Sequence, residues 1–153
     1  WNCLLYLQTI LNQHTKYNQM ELTKRRLQHD DYETIVKWWE SWPDWVPLAR
    51  NLLPENGTGG IIIERDGAPI VAGFLYGTNS KIAWMEWIVG NPEERNKSEA
   101  IELLISSLEE WALEGGFEVI LSIGRSKSLI NKHKKLGYTV DDNPSYEIIK
   151  KIK

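Results

Sequence analysis

Cysteine is nearly absent: Cys3 is the single one in 153 residues. That excludes an intramolecular disulfide framework and any multi-cysteine metal site, and it fits a reducing compartment. Cys3 itself reads as a small apolar residue. Long apolar runs are missing too. None approaches the ~20 residues that span a bilayer, and the N-terminus lacks the basic region and apolar core of a signal peptide, so a cytoplasmic protein with no membrane partner is expected. Neither sign of charge dominates. The net charge is −3, with acidic and basic residues interspersed, so nucleic acid is not an expected partner. No G-x-S-x-G, H-E-x-x-H or EF-hand pattern occurs, so neither a hydrolase-type nucleophile nor a metal is indicated. No Pro/Gly/Ser-rich linker divides the chain, and one core is expected.

Tryptophan, by contrast, is plentiful. Of eight, Trp38, Trp39, Trp42 and Trp45 crowd one short window interrupted by Pro43 and Pro47. Packing accounts for most of them, and Trp38 and Trp42 are candidates for an aromatic wall over a substrate pocket. Residues 1–19 read as an extension outside the core fold, because Met20 opens a stretch that looks like a natural domain start. A domain over residues 20–153 follows.

Alternation over Leu22–Leu27 suits a first strand, and His29-Asp30-Asp31 supplies N-cap candidates for a helix from Asp31 to Trp39. Three strand-like runs follow: Ile61–Glu64, Pro69–Tyr76 and Ile82–Val89. Asp66-Gly67 joins the first two and Gly77–Ser80 the second two, which predicts an antiparallel meander. Unalternated apolar triplets such as Ile61–Ile63 imply a sheet covered on both faces.

The stretch Lys81–Gly116 organises the rest. It reads as a strand, a polar loop opened by Asn91-Pro92, and an amphipathic helix Glu99–Glu114 closed by Gly115-Gly116. Backbone N–H groups and the positive end of a helix dipole meet there, which suits the phosphates of a nucleotide-like cofactor. Phe117–Ile123 is a short strand, parallel to Ile82–Val89 through a βαβ unit. A helix Lys127–Lys135 and closing strands Tyr138–Val140 and Tyr146–Ile152 complete an α/β (α+β) fold: a mixed, mostly antiparallel twisted sheet of about six to seven strands, flanked by helices, with a central parallel pair.

This order, with V-x-x-P-E-E-R-x-x-S-x-A and S-x-x-L-x-x-x-H-x-K-x-G-Y, resembles the GNAT superfamily of acyl-CoA-dependent N-acetyltransferases over roughly Met20–Lys153. The resemblance implies acetyl-CoA as acyl donor. Its pyrophosphate loop falls on Arg95, Asn96, Lys97, Ser98, Glu99 and Ala100, with Arg95 and Ala100 matching the family pattern and Ser98 standing where Gly is usual. A Ser side chain adds bulk but also a hydroxyl donor. In the late motif Lys135 and Gly137 match, Ser126 stands at the Asn position and His133 at that of the Tyr general acid. An imidazole can donate a proton near neutral pH. A solvated residue on a basic helix is the plain alternative for His133.

Glu86, flanked by Trp84, Met85, Trp87 and Ile88, is the candidate base; a strand carboxylate paired with Arg or Lys is the alternative. Where the parallel strands splay, the resemblance lays the pantetheine arm along Ile88, Val89 and Gly90, with Gly90 permitting distortion. The expected activity is direct transfer of an acetyl group to a primary amine on a small molecule or peptide. Two other readings stay open. One is a degenerate GNAT-like domain that binds a ligand or protein. The other is an unrelated α/β binding domain whose Trp residues form a partner surface. A homodimer is the expectation for surplus aromatic surface.

Overall fold

The computed structural model of the chain describes residues 21–143 and 145–152. The expected extension over residues 1–19 lies outside the described residues. The chain divides into two compact units, one ending at Ile123 and the other beginning at Gly124.

The first unit is built on five strands: β1 (Leu22–Arg26), β2 (Gly60–Arg65), β3 (Ala68–Gly77), β4 (Ile82–Gly90) and β5 (Val119–Ser122). They lie in the order β1-β2-β3-β4-β5. The first four pair antiparallel, and β4 pairs parallel with β5. Two helices flank the sheet, α1 (Asp31–Glu40) and α2 (Ser98–Glu114). This is the expected mixed sheet, mostly antiparallel with one parallel pair.

Local chemistry explains the meander. Asp66 and Gly67 both adopt positive φ, 50° and 76°, between the paired residues Arg65 and Ala68. Two positive φ values match the right-handed twist of the strands they join. Buried Ile62, Ala72, Phe74 and Val89 form one apolar layer with Ile35, Trp38 and Trp39 of α1. On the other side α2 packs across β2 and β3 with Ala100, Leu104, Ile105 and Leu108 buried. Gly73 admits this packing, since a Cβ there would stand 3.1–3.3 Å from Ile88, Leu104 and Leu108. Arg25 ties three elements together, reaching Asp31 of α1 at 2.7 Å and Glu64 of β2 at 2.8 Å. The Asp31 hydrogen bond leads the causes that raise the Arg25 pKa above the ordinary arginine value.

The second unit holds α3 (Lys127–Lys135). The Ser126 hydroxyl accepts from the Leu129 N–H, an N-cap, and Gly137 at φ 93° closes the helix in the left-handed region. The expected strands at Tyr138–Val140 and Tyr146–Ile152 are not formed among the described residues. Strand-favouring residues form a strand only with a backbone partner, and Tyr146, Ile148, Ile149 and Ile152 stand more than four-fifths exposed.

Candidate functional site

The parallel pairing of β4 and β5 runs from Ile82↔Val119 to Met85↔Ser122 and stops. The next residue on each strand does not extend the ladder. Instead the Glu86 carboxylate accepts the Ile123 N–H at 3.1 Å, with Oε1 as the acceptor. Beyond that point Ile88, Val89 and Gly90 keep β3 as a neighbour, through Ala72↔Val89 and Val71↔Gly90, and are unpaired by β5. An open strand edge can accept an extended, amide-bearing ligand.

A bulge sits at the same place. Phe74 pairs with Glu86 and Ala72 with Val89, so β4 carries one residue more than β3 across this interval. Trp87 takes it up at φ 58°, a conformation that costs a non-glycine residue about 1–2 kcal/mol. Contrary to the sequence expectation, the distortion falls on Trp87 opposite Gly73 and not on Gly90. Gly90 serves another purpose: a Cβ there would lie 2.7 Å from Lys97 Cδ.

The loop after β4 is held by its own polar groups. Asn91 Oδ1 accepts from Glu93 N–H, and Asn91 O accepts from Lys97 Nζ at 2.7 Å. Arg65, at the end of β2, donates to Glu94 Oε1 and to the Asn96 carbonyl, both at 2.9 Å. Sequence reasoning missed Arg65, because nothing in its own neighbourhood shows which loop β2 reaches. Helix α2 then opens at Lys97 with no side-chain cap, while Ile101 N–H makes the first turn's bond to Lys97 O. Arg95, Ser98 and Glu99 are exposed, and Ala100 is buried under the sheet. An uncapped first turn beside an exposed guanidinium fits a pyrophosphate; the Glu99 charge and the Lys97 chain over Gly90 oppose it locally.

Trp38 is 5% exposed and belongs to the core layer, whereas Trp42 is 47% exposed. Of the two expected wall residues, Trp42 alone presents substantial surface to solvent. Glu86 itself is half-buried. Tyr76, also unforeseen, lies on the Phe74 side of β3 opposite Trp84. Burial first, and the Glu86 charge second among the raising causes, push its phenol up to about 12 against a hydrogen bond with the Trp87 side chain.

In the second unit His133 is 5% exposed, which corrects the reading of it as a solvated residue. Its Nδ1 lies 2.9 Å from Leu129 O, and a carbonyl only accepts, so Nδ1 carries the proton. Nε2 has no hydrogen-bond partner among the described residues, and the ring meets Tyr138 edge-on at 4.8 Å. Ser126, matched to a cofactor-binding Asn, caps α3. Among the described residues, no group of three or more His, Cys, Asp or Glu is placed to hold a metal ion, and no helix is long and apolar enough to cross a membrane.

No protein-family model and no curated protein sequence matches the chain. Solved structures do. An N-acetylglutamate synthase from Neisseria gonorrhoeae, complexed with coenzyme A and L-arginine, aligns over 81% of this chain and 29% of its own length, at TM-score 0.65 and 12% identity. A GCN5-related N-acetyltransferase from Ralstonia eutropha JMP134 aligns over 84% of this chain and 99% of its own, at TM-score 0.61 and 17% identity. An aminoglycoside acetyltransferase from an uncultured soil metagenomic sample, in complex with trehalose, aligns over 84% and 95%, at TM-score 0.61 and 12% identity. The chain therefore spans under a third of the synthase but nearly the whole of the two smaller enzymes. What the three share with this chain is architecture, and on that ground it has the fold of the GNAT acetyltransferases.

Proposed function

We propose that this chain is an N-acetyltransferase that moves the acetyl group of acetyl-CoA directly to a primary amine. The observation that carries the reading is the parting of β4 from β5 after Met85, with Glu86 at the fork and an open β4 edge beyond it. Ile88, Val89 and Gly90 offer backbone groups to the pantetheine amides, and Arg95 with the first turn of α2 offers positive charge and N–H donors to the pyrophosphate. Acetyl-CoA supplies the activated thioester. The reaction balances as a primary ammonium plus a thioester giving an amide, a thiol and one proton.

Glu86 accepts that proton, directly or through a water it orients, and passes it to solvent. Its Oε1 meanwhile accepts the Ile123 N–H, which fixes the carboxylate at the fork. A backbone N–H near Val89, that of Ile88 or Gly90 on the edge turned away from β3, polarises the acyl carbonyl. His133 is assigned no acid step, because its Nδ1 is engaged with Leu129 O and its ring is buried. Solvent protonates the thiolate in this reading.

Calorimetric titration with acetyl-CoA, run on the native chain and on Arg95→Glu, tests the cofactor assignment. Micromolar affinity corresponds to about −8 kcal/mol, and reversing the charge should weaken it about tenfold or more. Neither heat nor thermal shift at millimolar acetyl-CoA would sink the transferase reading. A second reading, a ligand- or protein-binding module that has lost catalysis, is favoured by Lys97 lying over Gly90 and by Glu99 in the first turn of α2.

A further inference from the structure

Strand β2 ends on a residue whose side chain reaches the loop before α2. Arg65 is paired in the sheet on both sides, with Leu22 of β1 and Ala68 of β3, so its backbone is fixed. Its side chain is 14% exposed and that of Glu94 28%, which places the pair largely out of water. One guanidinium nitrogen donates to Glu94 Oε1 and another to the Asn96 carbonyl, both at 2.9 Å. The same Glu94 oxygen accepts the Asn96 N–H at 3.3 Å. Between them Arg65 and Glu94 engage both backbone groups of Asn96.

Arg95 stands exposed between the two residues that Arg65 grips. The loop is fastened again at Asn91, whose carbonyl accepts from Glu94 N–H at 3.2 Å and from Lys97 Nζ at 2.7 Å. A loop held at residues 94, 96 and 97 has little conformational freedom left to lose when a ligand arrives. The planar guanidinium is what makes the hold directional. Two bonds from one rigid fork fix angle as well as distance, which an ammonium on a flexible stem does not.

Resting on the acetyltransferase reading, we propose that Arg65 is a positioning residue for cofactor binding: by gripping Glu94 and Asn96 it holds Arg95 and the start of α2 in the arrangement that meets the pyrophosphate of acetyl-CoA. The order is built before the ligand binds.

Calorimetric titration of the full chain with acetyl-CoA tests this on a set of variants, each first shown to be folded by circular dichroism. Arg65→Met should weaken affinity about tenfold, and Arg65→Lys, which keeps the charge without the fork, about fivefold. The Lys variant also serves if Met at this position prevents folding. Action through Arg95 has its own signature: Arg65→Lys combined with Arg95→Ala should bind at least about threefold more tightly than the product of the two single losses gives. Glu94→Ala should weaken binding about fivefold, and Glu94→Gln, whose side-chain oxygen still accepts, should recover most of that loss. A guanidinium acting only as a charge near the phosphates gives the opposite pattern, with Arg65→Lys at native affinity and both Glu94 variants binding more tightly, and would overturn the proposal. Losses that simply multiply with Arg95→Ala would overturn it too, leaving Arg65 a residue of the fold alone. Native binding with every Arg65 variant within about twofold would overturn it and leave the transferase standing. No binding by the native chain would remove the transferase reading and this role together.

Discussion

Replacing Glu86 by Gln and by Ala separates two duties that one carboxylate performs here. Its Oε1 accepts the Ile123 N–H at 3.1 Å and so closes the fork between β4 and β5. A Gln at this position retains a carbonyl oxygen for that bond but cannot take up a proton at working pH. Ala does neither. The hydrogen bond is half-exposed, so water replaces part of it, and its loss should cost about 1 kcal/mol, or a fall of about 3–5 °C in Tm for a unit of this size. Loss of a general base costs about 100-fold to 10,000-fold in kcat. Glu86→Gln should therefore melt within about 1 °C of the native chain and lose at least about 100-fold in thiol release, while Glu86→Ala loses both stability and turnover. Differential scanning fluorimetry beside a thiol-release assay reads the two effects separately. If Glu86→Gln kept full turnover, the carboxylate would be a clamp on Ile123 and not a base, and the proton path proposed above would be wrong.

Lys97→Ala removes the chain that lies over Gly90 and donates to Asn91 O; tighter acetyl-CoA binding in calorimetry would mark Lys97 as an obstruction, and binding weakened about fivefold or more would mark it as a phosphate ligand. Gly60→Ala should cost at least about 2 kcal/mol in urea unfolding, because a Cβ there would come 2.3 Å from Gly73 O and separate β2 from β3. Arg25→Met should cost about 2 kcal/mol, less than a fully buried pair, since the guanidinium is partly exposed. Asp31 adds a pH signature. Burial raises its pKa, but the Arg25 and Gln28 hydrogen bonds outweigh it and hold the carboxyl below its ordinary 3.8. Its stabilising contribution is thus complete above the unfolded value and lost as pH falls through the folded one, and Asp31→Asn should flatten urea stability against pH in that acidic window.

Much of this fold follows from short-range patterns. Asp66-Gly67 specified a tight hairpin because two residues able to hold positive φ adjoin two apolar runs, and Gly115-Gly116 marked where α2 stops. Periodicity likewise located α1, α2 and α3 to within a residue or so. Glu86 stood out because a carboxylate inside an apolar strand is rare. The late segment Tyr146–Ile152 misled for the converse reason: β-branched and aromatic residues suit a strand without supplying the second backbone that makes one.

What the sequence determined by itself is the local: which residues can turn, cap, alternate or bury an apolar stripe. Tertiary structure decided the rest, because it depends on register. Only pairing reveals that β4 holds an extra residue at Trp87, that Glu86 takes the bond Ile123 would otherwise have given to a ladder, and that Trp45 and Tyr76 come to pack with Trp87 on the α1 layer. Each of these joins residues far apart in the chain. Their meeting is set by how strands slide past one another until one face is dry, and no single segment contains that information.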